Sequence, residues 1–399
     1  MVKKERPVKI CALTTISKTM DWFIVDSMRN LAQNGYEITL VCDMDNDFKK
    51  RNSDFAQCIN IKMGRGVSIK DLVKIPLKLI KLFEKEQFDV IYYTSPNVSL
   101  YAALAGKLAR IKRRVYSQCG LRYVSFIGLR RWVFWLVEKL TCSLSTDVRA
   151  QSPLNMQFAI CERLCNDRKI SVVGIGGTTG VDLKQCDNFD HIQSRKVLRK
   201  KYGIPDDSFV FGYVGRLNAD KGINELIAAF CSLQKKYHNI YLVMVGMLDN
   251  ANPISKESLD NANKNAAIMM TGNIPSDQVY TYMTMFDVLT HPTYREGFGK
   301  VLQEAMGMVL PIITTNVPGP SEVVENHVSG LLVETKNVSD LANKMSILYE
   351  NKELREQLAI AGRKRAEKYF DRPIMLNNIL LDLNQIMGIR NKEIAENVV

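Results

Sequence analysis

The sequence contains no CxxC pair and very few histidines. Its nine cysteines, Cys11, Cys42, Cys58, Cys119, Cys142, Cys161, Cys165, Cys186 and Cys231, are odd in number and scattered, with Cys161 and Cys165 the only close couple. That pattern excludes a disulfide framework or a zinc site and fits buried thiols in a reducing compartment. No Gly/Ser or Pro tract and no internal repeat interrupts the chain, which argues against disordered linkers and solenoids. The longest apolar run outside strand-like segments, Trp132 to Val137, falls far short of the roughly 20 residues a bilayer crossing needs. The stretch MVKKERPVKICALTT passes from charges straight into a strand without an apolar h-region, so no secretion signal is expected.

Hydrophobic residues make up 46% of the 399 positions and charged residues 24%, enough for two domains, each with its own core. The net charge of +12 is unevenly placed. Residues 1–190 carry 30 Lys and Arg against 19 Asp and Glu, whereas the remainder carries 24 against 23. The excess concentrates between 61 and 150, with 17 basic against 6 acidic residues. A basic first half beside a neutral second half points to an anionic partner, either membrane headgroups or nucleic acid.

Short β-branched runs alternate with helical patterns, the signature of parallel α/β layers. KICALT, EITLVC, VIYYTS, RRVYSQ, DVRAQ and ISVVGI read as strands of a first doubly wound domain over 1–190. A second domain, 191–373, opens at the charged HIQSRKVLRKKYGIPDD and runs through the strands FVFGYV and YLVMVG. Between these strands the loop Gly215 to Gly222 leads into a helix with Ile223, Leu226, Ile227, Phe230 and Leu233 at helical spacing. Residues 374–399 form a last apolar helix expected to pack back on the first domain. Two such domains leave a cleft at the carboxyl ends of their sheets, where ligands of open α/β sheets bind.

The segment HPTYREGFGKVLQEAMGMVLPIITTN, 291–316, places Glu296 and Glu304 around a Gly297-Phe298-Gly299 turn. Glycine reaches positive φ at little cost and lets backbone N–H groups approach an anion. The following helix turns Val301, Leu302, Ala305, Met306 and Val309 inward and aims its positive end at the same spot. Glu296 then sits in the loop at the mouth of the site and Glu304 a little over one helical turn inside, so the two carboxylates can meet different parts of an elongated ligand such as a nucleotide sugar. The alternative is a solvated Glu296 and a Glu304 that merely pairs with Lys300, in the weaker orientation for such a pair.

Four motifs in order, GIGGTTGVDL, VGRLNADKG, EGFGKVLQEA and GPSEVVENHVSGLLV, make the chain resemble the family 4 retaining glycosyltransferases of the GT-B fold, bacterial polysaccharide type. The resemblance covers the whole second half by motif and the first half by architecture. It implies two Rossmann-like doubly wound domains facing across a cleft. It also implies transfer of a hexose or N-acetylhexosamine from a nucleoside diphosphate donor, by family preference UDP-linked, to an acceptor hydroxyl. Arg216 and Lys221 match the basic pair that holds the donor diphosphate, a planar fork and a point charge suited to phosphate oxygens. Glu296 matches the carboxylate near the donor hexose, and Glu304 the one that accepts from ribose hydroxyls. The amides of Gly297, Phe298 and Gly299 would cradle phosphate and sugar, and Gly272, Asn273 and Ile274 fall where the family reads the nucleobase. No cofactor and no metal are implied beyond the donor itself.

The chain departs from the family in its first domain. Many members carry a histidine in an HG step near the acceptor, whereas the matching SQCGLRYVS has Cys119 there, and His191, His238, His291 and His327 all lie beyond residue 190. Arg122 is then the preferred first-domain contact for the donor or an acceptor phosphate, against a salt-bridge role. The loop TTISKTMDW also lacks the glycines of many relatives. His291, close to Glu296, reads as a structural residue at a strand end rather than an acid or base. Asp43, Asp45 and Asp47 read as an acidic loop, not a metal-binding DxD, since they follow a first-domain strand.

The stretches KDLVKIPLKLIKLFEK, with Leu72, Ile75, Leu79, Leu82 and Phe83, and GLRRWVFWLVEKL, with Trp132 and Trp135 beside Arg130 and Arg131, set two readings side by side. They are either amphipathic surfaces for an anionic membrane or helices packed on the sheet. The first favours a lipid diphosphate-linked glycan acceptor in capsule or O-antigen assembly, and a cytoplasmic protein peripheral on the inner face of the membrane. Competing functions are a GT-B nucleotide-sugar epimerase, a phosphorylase and a basic nucleic-acid-binding module. The last gives the Arg216, Lys221, Glu296 and Glu304 constellation no use, and no nucleic-acid motif is present, so no nucleic-acid partner is expected.

Overall fold

The computed structural model describes residues 6–64, 69–250 and 252–389. It divides the chain into two compact units, Met1–Thr179 with Pro373–Val399, and Gly180–Arg372.

Unit 1 is built on seven strands: β1 Lys9–Ile16, β2 Glu37–Asp43, β3 Ala56–Asn60, β4 Val90–Tyr93, β5 Arg113–Gln118, β6 Asp147–Ala150 and β7 Ile170–Val172. They run in the order β3-β2-β1-β4-β5-β6-β7, all pairs parallel. β3 escaped the sequence reading because AQCIN alternates polar and apolar residues at a sheet edge, without the continuous apolar run of a central strand. Alternation along β1 divides two cores: Cys11 and Leu13 join the cluster with Ile91 and Tyr93, while Ile10 and Ala12 join the one with Met28 and Leu31. Helices therefore cover both faces, as a parallel sheet requires.

The helix Arg372–Met387 belongs to unit 1 from Pro373 onward. Its Ile379, Leu380, Leu383 and Ile386 enter the core with Ile10 and Met28. Arg149 Nε fixes it from the sheet, donating to both carboxylate oxygens of Asp382 at 3.0 and 2.8 Å.

Unit 2 has six parallel strands: β8 Phe209–Val214, β9 Ile240–Val245, β10 Ile268–Met270, β11 Val288–His291, β12 Ile312–Thr315 and β13 Leu331–Val333. Their order is β10-β9-β8-β11-β12-β13. The first boundary lies at 179/180, not at 190/191 as read from the sequence. The charged composition at 191 marks the start of a helix, His191–Lys201, but packing decides where the unit begins. Val181 N donates to Phe370 O at 2.9 Å and Arg372 N to Val181 O at 2.8 Å. A Cβ built on Gly307 would lie 2.9 Å from both Val181 Cγ2 and Cys186 Sγ, so the segment from 180 is packed into unit 2.

Candidate active site

In unit 2 the strand order reverses between β8 and β11, which makes their carboxyl ends the place where an open α/β sheet binds its ligand. The two loops that leave these strands carry Arg216, Lys221 and Glu296. Gly222 ends the 3-10 turn Ala219–Lys221 at φ 69°. A Cβ there would stand 2.0 Å from Pro292 O, so only glycine lets the two loops touch.

Lys221 and Glu296, assigned separately to phosphate and sugar by the sequence reading, form an ion pair with each other. Their side chains are only 14% and 27% exposed. Asn218 caps the turn beneath Lys221, its Oδ1 accepting from Lys221 N at 3.1 Å. Burial pushes the Glu296 carboxyl up, but the charge and hydrogen bond of Lys221, with the Gly297 N–H, outweigh it and hold the group at about 2. Glu296 is therefore a carboxylate at any working pH.

Arg216 stands at the rim, 65% exposed, with its guanidinium 2.8 Å from Asp249 Oδ2. An exposed pair of this kind is worth about 0–1 kcal/mol, so exchanging it for a phosphate costs little. The Tyr213 hydroxyl donates to Arg216 O at 2.9 Å and anchors the loop from below.

His291 is buried, its ring stacked on Tyr213 with centroids 5.5 Å apart and planes 7° from parallel. Burial and the neighbouring Lys221 charge push its imidazole down to about 3, so it stays neutral.

The turn Gly297 to Gly299 leads into the helix Lys300–Gly307, with Gly299 as N-cap at φ 89°. A Cβ on Gly299 would lie 3.8 Å from Glu296 Cγ, so the helix start adjoins the ion pair. The Phe298 ring is buried, edge-on to Phe370 at 5.8 Å. An apolar ring gains more in the core than over a polar ligand, which leaves Phe298 its backbone as the part facing the site. Glu304 lies inside the helix, 4.0 Å from Lys300 Nζ. Burial raises its carboxyl above the usual range, against the opposing charges of Lys300 and Arg372.

Asn273 and Ile274 follow β10 on the same sheet end. Gly246 N donates to Gly272 O at 3.1 Å, and a Cβ on Gly246 would stand 1.8 Å from Gly215 O. The loops after β8, β9 and β10 thus adjoin in sequence across the sheet.

In unit 1, Arg122 opens the short 3-10 turn Arg122–Ser125, and its side chain lies outside the described residues. Cys119 follows β5, its Sγ 3.0 Å from Thr94 Oγ1 at the end of β4. Asp45 caps the helix Asn46–Asn52 by accepting from Phe48 N at 2.7 Å, an occupation that competes with ligating a metal. Among the described residues, no group of three or more His, Cys, Asp or Glu could hold a metal ion.

Sequence reasoning missed Asp220 and Arg295, which pair at 2.7 Å beside Lys221 and Glu296. The signal was available in the complementary order of Asp-Lys in one loop and Arg-Glu in the other.

Residues 194–365 match the family model "Glycosyl transferases group 1" and residues 9–152 match "Glycosyl transferase 4-like". The chain is 31% identical over 92% of its length, and 94% of the relative's, to the capsular polysaccharide biosynthesis glycosyltransferase CapM of Staphylococcus aureus. It is 24% identical, over 81% of its length and 83% of the relative's, to an Escherichia coli UDP-Gal:α-D-GlcNAc-diphosphoundecaprenol α-1,3-galactosyltransferase. Among solved structures, Anabaena HepE in complex with UDP-glucose superposes with a TM-score of 0.77 at 19% identity, covering 94% of this chain and 99% of that one. With its motifs on the loops of two doubly wound sheets, the chain belongs to the family 4 glycosyltransferases of the GT-B fold.

Proposed function

We propose that this glycosyltransferase moves a hexose or N-acetylhexosamine from a UDP-sugar to a hydroxyl of a lipid diphosphate-linked glycan in surface polysaccharide assembly, with retention. The observation that carries the proposal is the convergence of Arg216, Lys221 and Glu296 at the carboxyl ends of β8 and β11. The activities of the S. aureus and E. coli relatives, and the UDP-glucose held by HepE, support the donor and acceptor classes.

In this reading Arg216, Lys221 and the N-terminus of Lys300–Gly307 stabilise the diphosphate as charge builds on it, which is the main catalytic lever. The bond from the anomeric carbon to the diphosphate oxygen breaks while the acceptor oxygen bonds to the same face. The acceptor proton passes to a donor phosphate oxygen. No protein nucleophile is required, so Glu296 and Glu304 do not act as a glycosidase pair. Glu296 orients the sugar hydroxyls and Glu304 the ribose. No metal takes part in this scheme.

The test is a thermal-shift and product screen against UDP-, GDP- and ADP-sugars, with Glu296→Ala and Lys221→Ala alongside. One donor should stabilise the wild type and be slowly hydrolysed, and both variants should lose this. A protein that no nucleotide sugar stabilises at millimolar concentration would end the donor-site reading. Proton NMR of the product then reads the anomeric configuration, and an inverted product would rule out retention.

The acceptor side of the proposal rests on the helix Gly128–Leu144 and the residue before it. Ile127, Leu129 and Trp132 are 89%, 76% and 56% exposed, and the Arg130 guanidinium sits 4.0 Å over the Phe126 ring. Apolar side chains beside arginines fit the interface of an anionic bilayer. Trp135 is not part of this surface, because its Nε1 donates to Glu162 O at 3.1 Å within the unit. In the helix Ile69–Glu86, Ile75, Leu79 and Phe83 are core, Leu82 packs against that core, and Leu72, Val73 and Leu77 face outward. No described helix is long and apolar enough to cross a membrane. Sedimentation with phosphatidylglycerol vesicles should carry the protein down, and Leu129→Ser/Trp132→Ser should lower its partition about tenfold or more. Equal sedimentation of variant and wild type would remove this surface from the proposal.

A further inference from the structure

Beside the Lys221 and Glu296 pair runs a second one of opposite polarity. Arg295 Nη2 and Nε donate to Asp220 Oδ2 at 2.7 and 3.2 Å. The backbone joins in, since Tyr294 N donates to Asp220 O at 2.8 Å, while the Thr293 hydroxyl lies 2.9 Å from Arg295 O and 3.4 Å from Asp220 O. Three consecutive residues of one loop, Asp220, Lys221 and Gly222, thus meet the stretch Pro292 to Glu296 of the other.

The order of charges matters. Asp220 precedes Lys221 and Arg295 precedes Glu296, so each loop offers one acid and one base, and each finds its opposite across the gap. The cation next to Glu296 in the chain is Arg295 itself. Its guanidinium presents a planar fork that matches a carboxylate better than an ammonium does.

The geometry points to Asp220 as a positioning residue of the transfer reaction, one that holds Arg295 away from Glu296 so that Glu296 stays with Lys221 and both face the donor. This rests on the donor-site reading above and adds to it a residue that touches no substrate. Asp220 acts in two ways: its carbonyl fixes the register of the two loops, and its carboxylate occupies the competing guanidinium. Only the second role is lost on changing the side chain, because the backbone hydrogen bond from Tyr294 N to the Asp220 carbonyl needs no carboxylate.

That separation supplies the test. Asp220→Asn frees Arg295, and kcat/KM for the donor should fall about tenfold or more, as for a broken charge network between neighbours. The double variant Asp220→Asn/Arg295→Gln removes the rival together with its partner. It should recover to within about threefold of wild type and therefore be more active than Asp220→Asn alone. A clasp that only stabilised the loops would give the reverse, with the double variant at least as damaged as Asp220→Asn. Melting temperatures of the three proteins without donor check that activity and folding do not move together.

Lys221→Ala is run in the same assay. If Lys221→Ala keeps wild-type donor affinity and turnover, the donor-site reading fails. If Lys221→Ala is inactive while Asp220→Asn is unimpaired, or the double variant is no better than Asp220→Asn, the positioning role of Asp220 fails and the donor site stands.

Discussion

Replacing Lys221 by alanine is expected to lower kcat/KM for the nucleotide-sugar donor by about 10²–10³-fold, the usual loss when one aimed donor to a developing anion is removed. The size follows from where Lys221 stands. Its side chain is largely withdrawn from water, so its charge acts on a diphosphate with little screening. The substitution also strands Glu296. A largely buried carboxylate without its cation is costly, so ligand-free Lys221→Ala should melt below wild type. Lys221→Arg separates the two effects: it returns a cation to Glu296 and should restore most of the melting temperature. Its wider, planar head should restore turnover only in part. Wild-type kcat/KM in Lys221→Ala would take Lys221 out of the chemistry.

The second large effect is on stability in acid. Glu296 titrates near 2 in the folded chain, against an ordinary value of 4.5. Its contribution is fully present above the unfolded value and is lost as pH falls from 4.5 through 2. The gap corresponds to about 3 kcal/mol. Urea unfolding followed from pH 6 to pH 2 should show wild type losing that much more than Glu296→Gln, which has no proton to gain. Parallel curves for the two proteins would mean that the pair contributes nothing in the folded chain. Glu304 carries the opposite sign. Burial raises its carboxyl, so its ionisation costs stability as pH climbs past 4.5, and Glu304→Gln should flatten that part of the profile.

The strands and the donor loops were legible because their signals are local. β8 and β9 are continuous apolar runs, and the loops after β8 and β11 pack glycines and charges into a few residues. What could not be read depends on residues far apart in sequence. Lys221 and Glu296 look like two independent ligand contacts until the chain folds, because 75 positions separate them. The burial of the Phe298 ring rests on Phe370, far along the chain. The unit boundary was placed by composition, whereas Val181 pairs with the segment Phe370 to Arg372 and sets it by packing. In unit 1 the first-domain contact stayed open. Cys119 and Thr94 occupy the ends of β5 and β4 without the charged or histidine signature that would have declared a role.

The return of the helix Arg372–Met387 to unit 1 bears on the order in which the molecule can be assembled during synthesis. Domains commonly fold as they leave the ribosome, the earlier before the later. Here the earlier one cannot finish. The faces of Ile10, Met28 and Leu31 that this helix covers stay exposed until all of unit 2 has been made, and Arg149 waits as long for Asp382. Unit 2, continuous from Gly180 to Arg372, has every strand it needs in hand. The nascent chain therefore completes its second half first, and its amino-terminal half spends the intervening time with an open apolar seam that a chaperone can hold.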